Sequence, residues 1–308
     1  EITLFSLGDL VQPIRNSNGV QVPATMVGRV AGYTLEEVDG FLGKLGNPVG
    51  VKSYKPPNSS GEDFLHNYIG MLGIPMEMVP AYPTDAKTMF LTASAAFDPQ
   101  IVAKVKESVR NGGHVIITSG LLKKLAGKGL SDIAELQATD QKIAVSDYTA
   151  RFRAVQGTSK ILFPEILFAT NDAWADVSGI SGAMGYPILL EASYGKGVLY
   201  VLAIPDNAAD LYLLPTDVLD PIKRVLLKDS WMRTETPAKI ALFTYDNRTA
   251  VIQSFLDSPE LVTVVTDRSI TKLQEFETGR VLNGEARGNE MVFRTFLQPH
   301  RFQVLSAQ

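Results

Sequence analysis

The chain lacks cysteine altogether and carries only three histidines and two tryptophans in 308 residues. Without cysteine there is no disulfide, no thiolate zinc site and no cysteine nucleophile. The absence suits a reducing or an oxidising compartment, which leaves the location open, with a periplasmic or secreted setting preferred. His66, His114 and His300 are scattered, and no carboxylate spacing resembles a metal-ligand loop, so neither a metal nor any other cofactor is expected. No glycine-rich phosphate loop follows a predicted strand. Positive charge is not in excess either: 29 Lys and Arg stand against 33 Asp and Glu, a net charge of -4. With no basic cluster, a nucleic-acid partner is not expected. Long apolar runs are missing too. The longest, Gly197 to Ile204, is strand-sized, well short of the roughly 18 residues of a membrane helix, so no membrane partner is expected. The first residue is Glu1 rather than methionine, and an upstream tag, signal peptide or domain is expected to have been removed.

What is present is an ordinary globular composition, 45% apolar and 20% charged, long enough for about two domains. The clearest stretch runs from Lys87 to Leu122. Thr88 to Thr92 is an apolar run of the buried-strand kind, and Asp98-Pro99 opens a helix whose Ile101, Val102, Val105 and Val109 share one face. Asn111-Gly112-Gly113 stops that helix, His114 to Thr118 returns as a strand, and Ser119-Gly120 turns at its C-terminal end. This is a βαβ unit, and it predicts an α/β fold with an open, mostly parallel sheet.

Around this unit, Asn16 to Gly19 predicts a turn between two extended pieces, and Thr34-Leu-Glu-Glu37 predicts a capping box opening an amphipathic helix. A second helix buries Phe64, Leu65, Tyr68, Ile69 and Leu72 and leaves His66 facing solvent. Residues 137 to 193 alternate short strand-like pieces with loops, Val198 to Ile204 is a strand, and Asp220-Pro221 repeats the helix opening. Thr234 to Pro237 reads as a linker. Beyond it, β-branched and aromatic runs alternate with turn residues, which predicts an α/β domain over 1–235 and an all-β sandwich over 236–308.

Ser119 is the weak catalytic candidate, since a serine on a strand-to-helix turn suits a serine-dependent hydrolase. Its neighbours at the small-residue positions of a nucleophile elbow are Ile117 and Leu121, too bulky for that motif. His114 is about 16 Å back along the same strand and cannot be its base, which leaves His66 and His300. Asp206, Asn207, Asp210 and Tyr212 cluster after another predicted strand end. They suit sugar hydroxyls or, equally, a turn bonded to its own backbone. Trp174 suits a stacking platform for a sugar ring or a lid over the core. Ser119, Trp174 and Asp206 to Tyr212 together predict a ligand rim at the C-terminal edge of the sheet.

Gly70-Met-Leu-Gly-Ile-Pro75, Leu91-Thr92, Asn111-Gly-Gly-His-Val-Ile-Ile-Thr-Ser-Gly120 and Gly195-Lys-Gly-Val-Leu-Tyr-Val201 resemble the glutamine amidotransferase-like domain, often called the trimerisation domain, of β-galactosidase-type glycoside hydrolases. Leu242-Phe-Thr-Tyr-Asp-Asn247 and Leu297-Gln-Pro-His300 resemble the small β-sandwich that closes many such enzymes. The resemblance implies a flavodoxin-like, class I amidotransferase-like sheet that has lost its cysteine and serves assembly or a neighbouring active site. It also implies a carbohydrate ligand and, as partners, an upstream glycosidase domain or further copies of the chain. The family's catalytic carboxylates lie on a (β/α)₈ barrel, typically about 250 residues, for which this chain has no room.

Overall fold

The structure, a computed structural model, describes residues 13–15, 18–22 and 25–308. Contacts divide the chain into two compact units, Glu1–Gly46 and Asn47–Gln308. In the first, β1 (Ile14–Arg15) pairs antiparallel with β2 (Gln21–Val22) around a turn at Asn18 and Gly19. The other half of the expected turn, Asn16 and Ser17, lies outside the described residues. A helix, α1 (Thr25–Leu42), follows. Thr34 therefore sits inside a helix instead of opening one, because no proline or other break separates it from the residues before it.

The second unit opens on β3 (Pro48–Val49) and then builds a nine-stranded sheet from β4 (Val51–Tyr54), β5 (Met76–Val79), β6 (Thr88–Leu91), β7 (His114–Thr118), β8 (Leu136–Ala150), β9 (Arg153–Phe168), β10 (Trp174–Ser181), β11 (Met184–Tyr194) and β12 (Gly197–Leu202). The order is β5-β4-β6-β7-β12-β11-β10-β8-β9. The first five strands in that order are parallel and the other four antiparallel, so the mostly parallel sheet expected from sequence is corrected to a mixed one. Connection length is the cause. β8 and β9 are joined through Arg151-Phe152 alone, and the β10–β11 and β11–β12 joins are equally short, whereas a parallel return needs a crossover of a dozen residues or more. The short pieces expected over 137–193 are in fact these long hairpin strands.

The parallel half follows the sequence closely. β6 is buried throughout, α2 (Leu65–Gly70) and α3 (Ile101–Arg110) lie in the connections, and α3 buries Ile101, Val105 and Val109. Its end needs Gly112, at φ +104. α4 (Ser119–Lys124) starts immediately after β7, capped by the Thr118 hydroxyl, which accepts the Leu121 N–H at 3.0 Å. Two expectations fail on helix faces. Phe64 precedes α2 and is 75% exposed, whereas His66 is buried with Leu65 and Ile69 and its Nε2 lies 2.7 Å from Ser53 Oγ. α5 (Thr216–Leu226) begins before Asp220, so Pro221 lies within it.

The remaining strands, β13 (Met232–Glu235), β14 (Ile240–Tyr245), β15 (Thr249–Ser254), β16 (Glu260–Asp267), β17 (Lys272–Glu275), β18 (Val281–Asn283), β19 (Glu285–Arg287), β20 (Glu290–Leu297) and β21 (Phe302–Ala307), form two antiparallel sheets. One is β13-β16-β20-β19; the other is β18-β17-β21-β15-β14-β3. They enclose a second apolar cluster that includes Ile240, Ile252, Val264, Phe293 and Leu305. Thr234, expected in a linker, is a buried residue of β13. Among the described residues no helix is long and apolar enough to cross a membrane.

Candidate functional site

A cleft of about 470 Å³ lies at the C-terminal ends of β7 and β12, the edge where open α/β sheets hold ligands. Its walls include Glu62, Tyr68, Ser119, Lys123, Lys142 and Asp206. The Ser119 side chain is buried, and its Oγ accepts the Ile204 N–H at 3.0 Å, tying the start of α4 to the segment after β12. Among the described residues no histidine bonds it. His66 is beside Ser53, His114 Nε2 lies 3.0 Å from Lys228 Nζ, and His300 Nε2 lies 2.9 Å from Asp257 Oδ1.

Against the start of α4 stands Glu62, held at φ +56, a residue not among the candidates read from the sequence. Its Oε2 accepts the Ala93 N–H at 2.6 Å and the Thr118 hydroxyl at 2.7 Å, and the Gly120 N–H also donates to this carboxylate. Burial raises its pKa, and the bonds from Thr118 and Ala93 pull it partly back. Gly120 permits the close approach, because a Cβ there would lie 2.3 Å from Glu62 Oε1. No local motif announces this contact, which joins residues far apart in the chain.

Asp206 is paired with Lys142, and Lys123 Nζ donates to Asp140 at 2.5 Å. Asn207 caps the short 3₁₀ turn after it, its Oδ1 accepting the Ala209 N–H at 3.2 Å while its amide donates to Asp210 at 3.3 Å. Tyr212 packs on Tyr68 with ring centroids 5.6 Å apart. Of the expected rim, Ser119 and Asp206 line this cleft, whereas Asn207, Asp210 and Tyr212 follow in the chain but are not on its walls. Trp174 stands elsewhere, 55% exposed on β10 against the Phe152 ring at 6.2 Å. Among the described residues no cluster of three or more His, Asp or Glu is placed to hold a metal ion.

Solved structures share this fold. The chain aligns over 92% of its length with the beta-galactosidase from Bacillus circulans sp. alkalophilus, at 15% identity and a TM-score of 0.54, covering 45% of that chain. It aligns over 92% with alpha-L-fucosidase isoenzyme 2 from Paenibacillus thiaminolyticus, at 13% identity and a TM-score of 0.54, covering 52% of that chain. A catalytic mutant of Gan42B, a GH42 beta-galactosidase from G. stearothermophilus, matches 96% of it at 14% identity and a TM-score of 0.52, over 45% of its own length. The chain thus spans about half the length of the enzymes it resembles in fold. Residues 231–307 match the family described as probable glycosyl hydrolase, C-terminal domain, which makes this a glycoside hydrolase-related chain. Residues 46–207, more than half of its length, match the family described as uncharacterized protein SSO3021, second domain, and the chain belongs to that family. No curated protein matches it.

Proposed function

We propose that this chain is a non-catalytic accessory or assembly module of a carbohydrate-active protein whose catalytic part lies outside it. The observation that carries this is the closed strand-to-helix turn. A hydrolase elbow needs a free nucleophile and free backbone donors for an oxyanion. Here Ser119 Oγ is engaged by Ile204, and the Gly120 and Ala93 N–H groups are engaged by Glu62. The strand order β5-β4-β6-β7-β12 is the flavodoxin-like order and supports an amidotransferase-like origin for residues 1–235. The two separate apolar clusters support a seam near residue 236. The C-terminal family match supports the carbohydrate setting, with a glycosidase barrel or further copies of this chain as partners.

The test is turnover. The purified chain should release neither aglycone from aryl-glycosides nor ammonia from glutamine above the blank. Turnover of either overturns the proposal, and turnover abolished by Ser119→Ala would make the chain a serine-dependent hydrolase instead.

A further inference from the structure

A second cleft, of about 450 Å³, lies against the antiparallel half of the sheet, with Arg151, Asp176, Glu191, Tyr200, Lys228 and Trp231 on its walls and the end of β16 across from them. It shares no residue with the first.

Three features of the backbone build it. Cross-strand register places Trp174 opposite Glu191 and Glu191 opposite Tyr200, so these three side chains form a row on one face. The pairing of β10 with β11 skips Asp176, an extra residue between Ala175 and Val177, and such a bulge re-aims a side chain, here onto the wall beside Glu191. The β8–β9 turn is Arg151-Phe152, at φ +47 and +66. A two-residue turn with both φ positive favours Asn-Gly, and two bulky side chains there are strained. The strained pair sets Arg151 beside Asp176, whose carbonyl accepts the Arg151 N–H at 3.2 Å. It sets Phe152, 85% exposed, against the ring of Trp174, the cross-strand neighbour of Glu191.

On the walls of this cleft Arg224 and Arg233 are ion-paired with Glu290, and Lys228 Nζ lies 3.0 Å from His114 Nε2, but two acids are open. Among the described residues the Asp176 and Glu191 carboxylates have no hydrogen bond or ion pair. Burial raises the pKa of both. Arg151 draws Asp176 back, and Lys228 draws Glu191 back, while Asp176 pushes Glu191 further up. Acidic and basic residues on the walls are equal in number, so the cleft carries no net charge to select an ion. Its volume falls in the range of about 300–1,000 Å³ common to small-molecule sites. Exposed aromatic faces next to the wall residues Arg151 and Glu191, planar carboxylates and a guanidinium on the walls, and neutrality overall match a sugar ring, which offers an apolar face and a girdle of hydroxyls that both donate and accept.

We propose that this cleft binds a neutral carbohydrate, with Trp174 and Phe152 stacking on a sugar ring and Asp176, Glu191 and Arg151 hydrogen-bonding its hydroxyls. The choice of sugar chemistry rests on the carbohydrate setting proposed above; the site itself rests on the residues named here.

Trp231 lines this cleft and Trp174 lies directly across β10–β11 from its wall residue Glu191, so both tryptophans of the chain report on this part of the molecule. Titration with lactose, cellobiose and xylobiose should give a saturable change with at least one of them, at millimolar or tighter affinity. Trp174→Ala, followed through Trp231, and Glu191→Gln should each weaken it about tenfold. Asp206→Ala in the first cleft should leave it unchanged. No response to any of the three sugars, or a response that survives Trp174→Ala and Glu191→Gln or is lost in Asp206→Ala, overturns the site. The turnover assay reads the module proposal independently, so either can fail while the other stands.

Discussion

The two clefts of the nine-stranded sheet contain similar chemistry in opposite states. In the first, at the strand ends of the parallel half, Glu62 collects three donors, Ser119 holds Ile204, Lys142 holds Asp206, and Asn207 caps its own turn. In the second, against the antiparallel half, two carboxylates stand without partners and two large aromatic rings face solvent beside a strained turn. A satisfied polar network rigidifies a fold, whereas unsatisfied groups persist where something else is to meet them. The sheet edge that topology marks as the ligand site is here the better-sealed of the two.

Removing the keystone of the first cleft should have the largest effect. Glu62→Ala leaves the Ala93 and Gly120 N–H groups and the Thr118 hydroxyl unpaired and should cost about 3 kcal/mol in urea unfolding; a loss below about 1 kcal/mol would break the comparison. Gly120→Ala should cost about 1–3 kcal/mol by overpacking, and most of that cost should vanish in a Glu62→Ala background, because the clash is with the Glu62 carboxylate. In the second cleft the sign reverses. Replacing Arg151-Phe152 by Asn-Gly should stabilise the chain by about 1–2 kcal/mol while weakening the sugar response.

Acidity sharpens the contrast further. The folded pKa of Glu62 lies above its ordinary 4.5, so its protonated form contributes stability that is fully present below that pH and lost as pH rises through the folded value. Unfolding measured from pH 4 to 7 should therefore show Glu62→Gln gaining on the wild type as pH increases; parallel curves would refute the assignment. The smallest effect belongs to Asp176→Asn and Glu191→Gln. Their carboxylates are raised by burial but partly exposed, so after solvent screening each change should alter stability at pH 7 by less than about 0.5 kcal/mol, towards gain.

Local signals were strong enough to read much of the parallel half. His114–Thr118 is the strand that its apolar run and the preceding glycines predict, and the strands from Ile240 onward form where the β-branched and aromatic runs between turn residues predict strands. Elsewhere local signals were overruled. Thr34 has the side chains of a capping box within a longer helix, and His66 is buried because α2 is one short turn entered past Phe64. The long β8 and β9 read as fragments because register shifts between Ala138 and Lys142 and between Val145 and Asp147 interrupt their alternation. That Ser119 and Asp206 meet in one cleft at strand ends was legible. The placing of Asp176 and Glu191 on one cleft wall was not, since it depends on a cross-strand register and a bulge that no single stretch encodes.

The two residues of β3 give the chain an order of manufacture. Val49 pairs with Thr244 and Pro48 with Tyr245, and Asn47 donates to Asp246 from its backbone at 2.9 Å and its side chain at 2.8 Å. Synthesis therefore supplies the edge strand of the six-stranded sheet almost two hundred residues before the strand it covers. Between the two events, the nascent chain must keep Pro48–Val49 unpaired while the neighbouring β4 enters a different sheet. The C-terminal strands alone would present β14 as a bare edge, the surface on which other chains stack. During synthesis the six-stranded sheet can be completed only after β14 has been made, and it then closes on the beginning of its own unit.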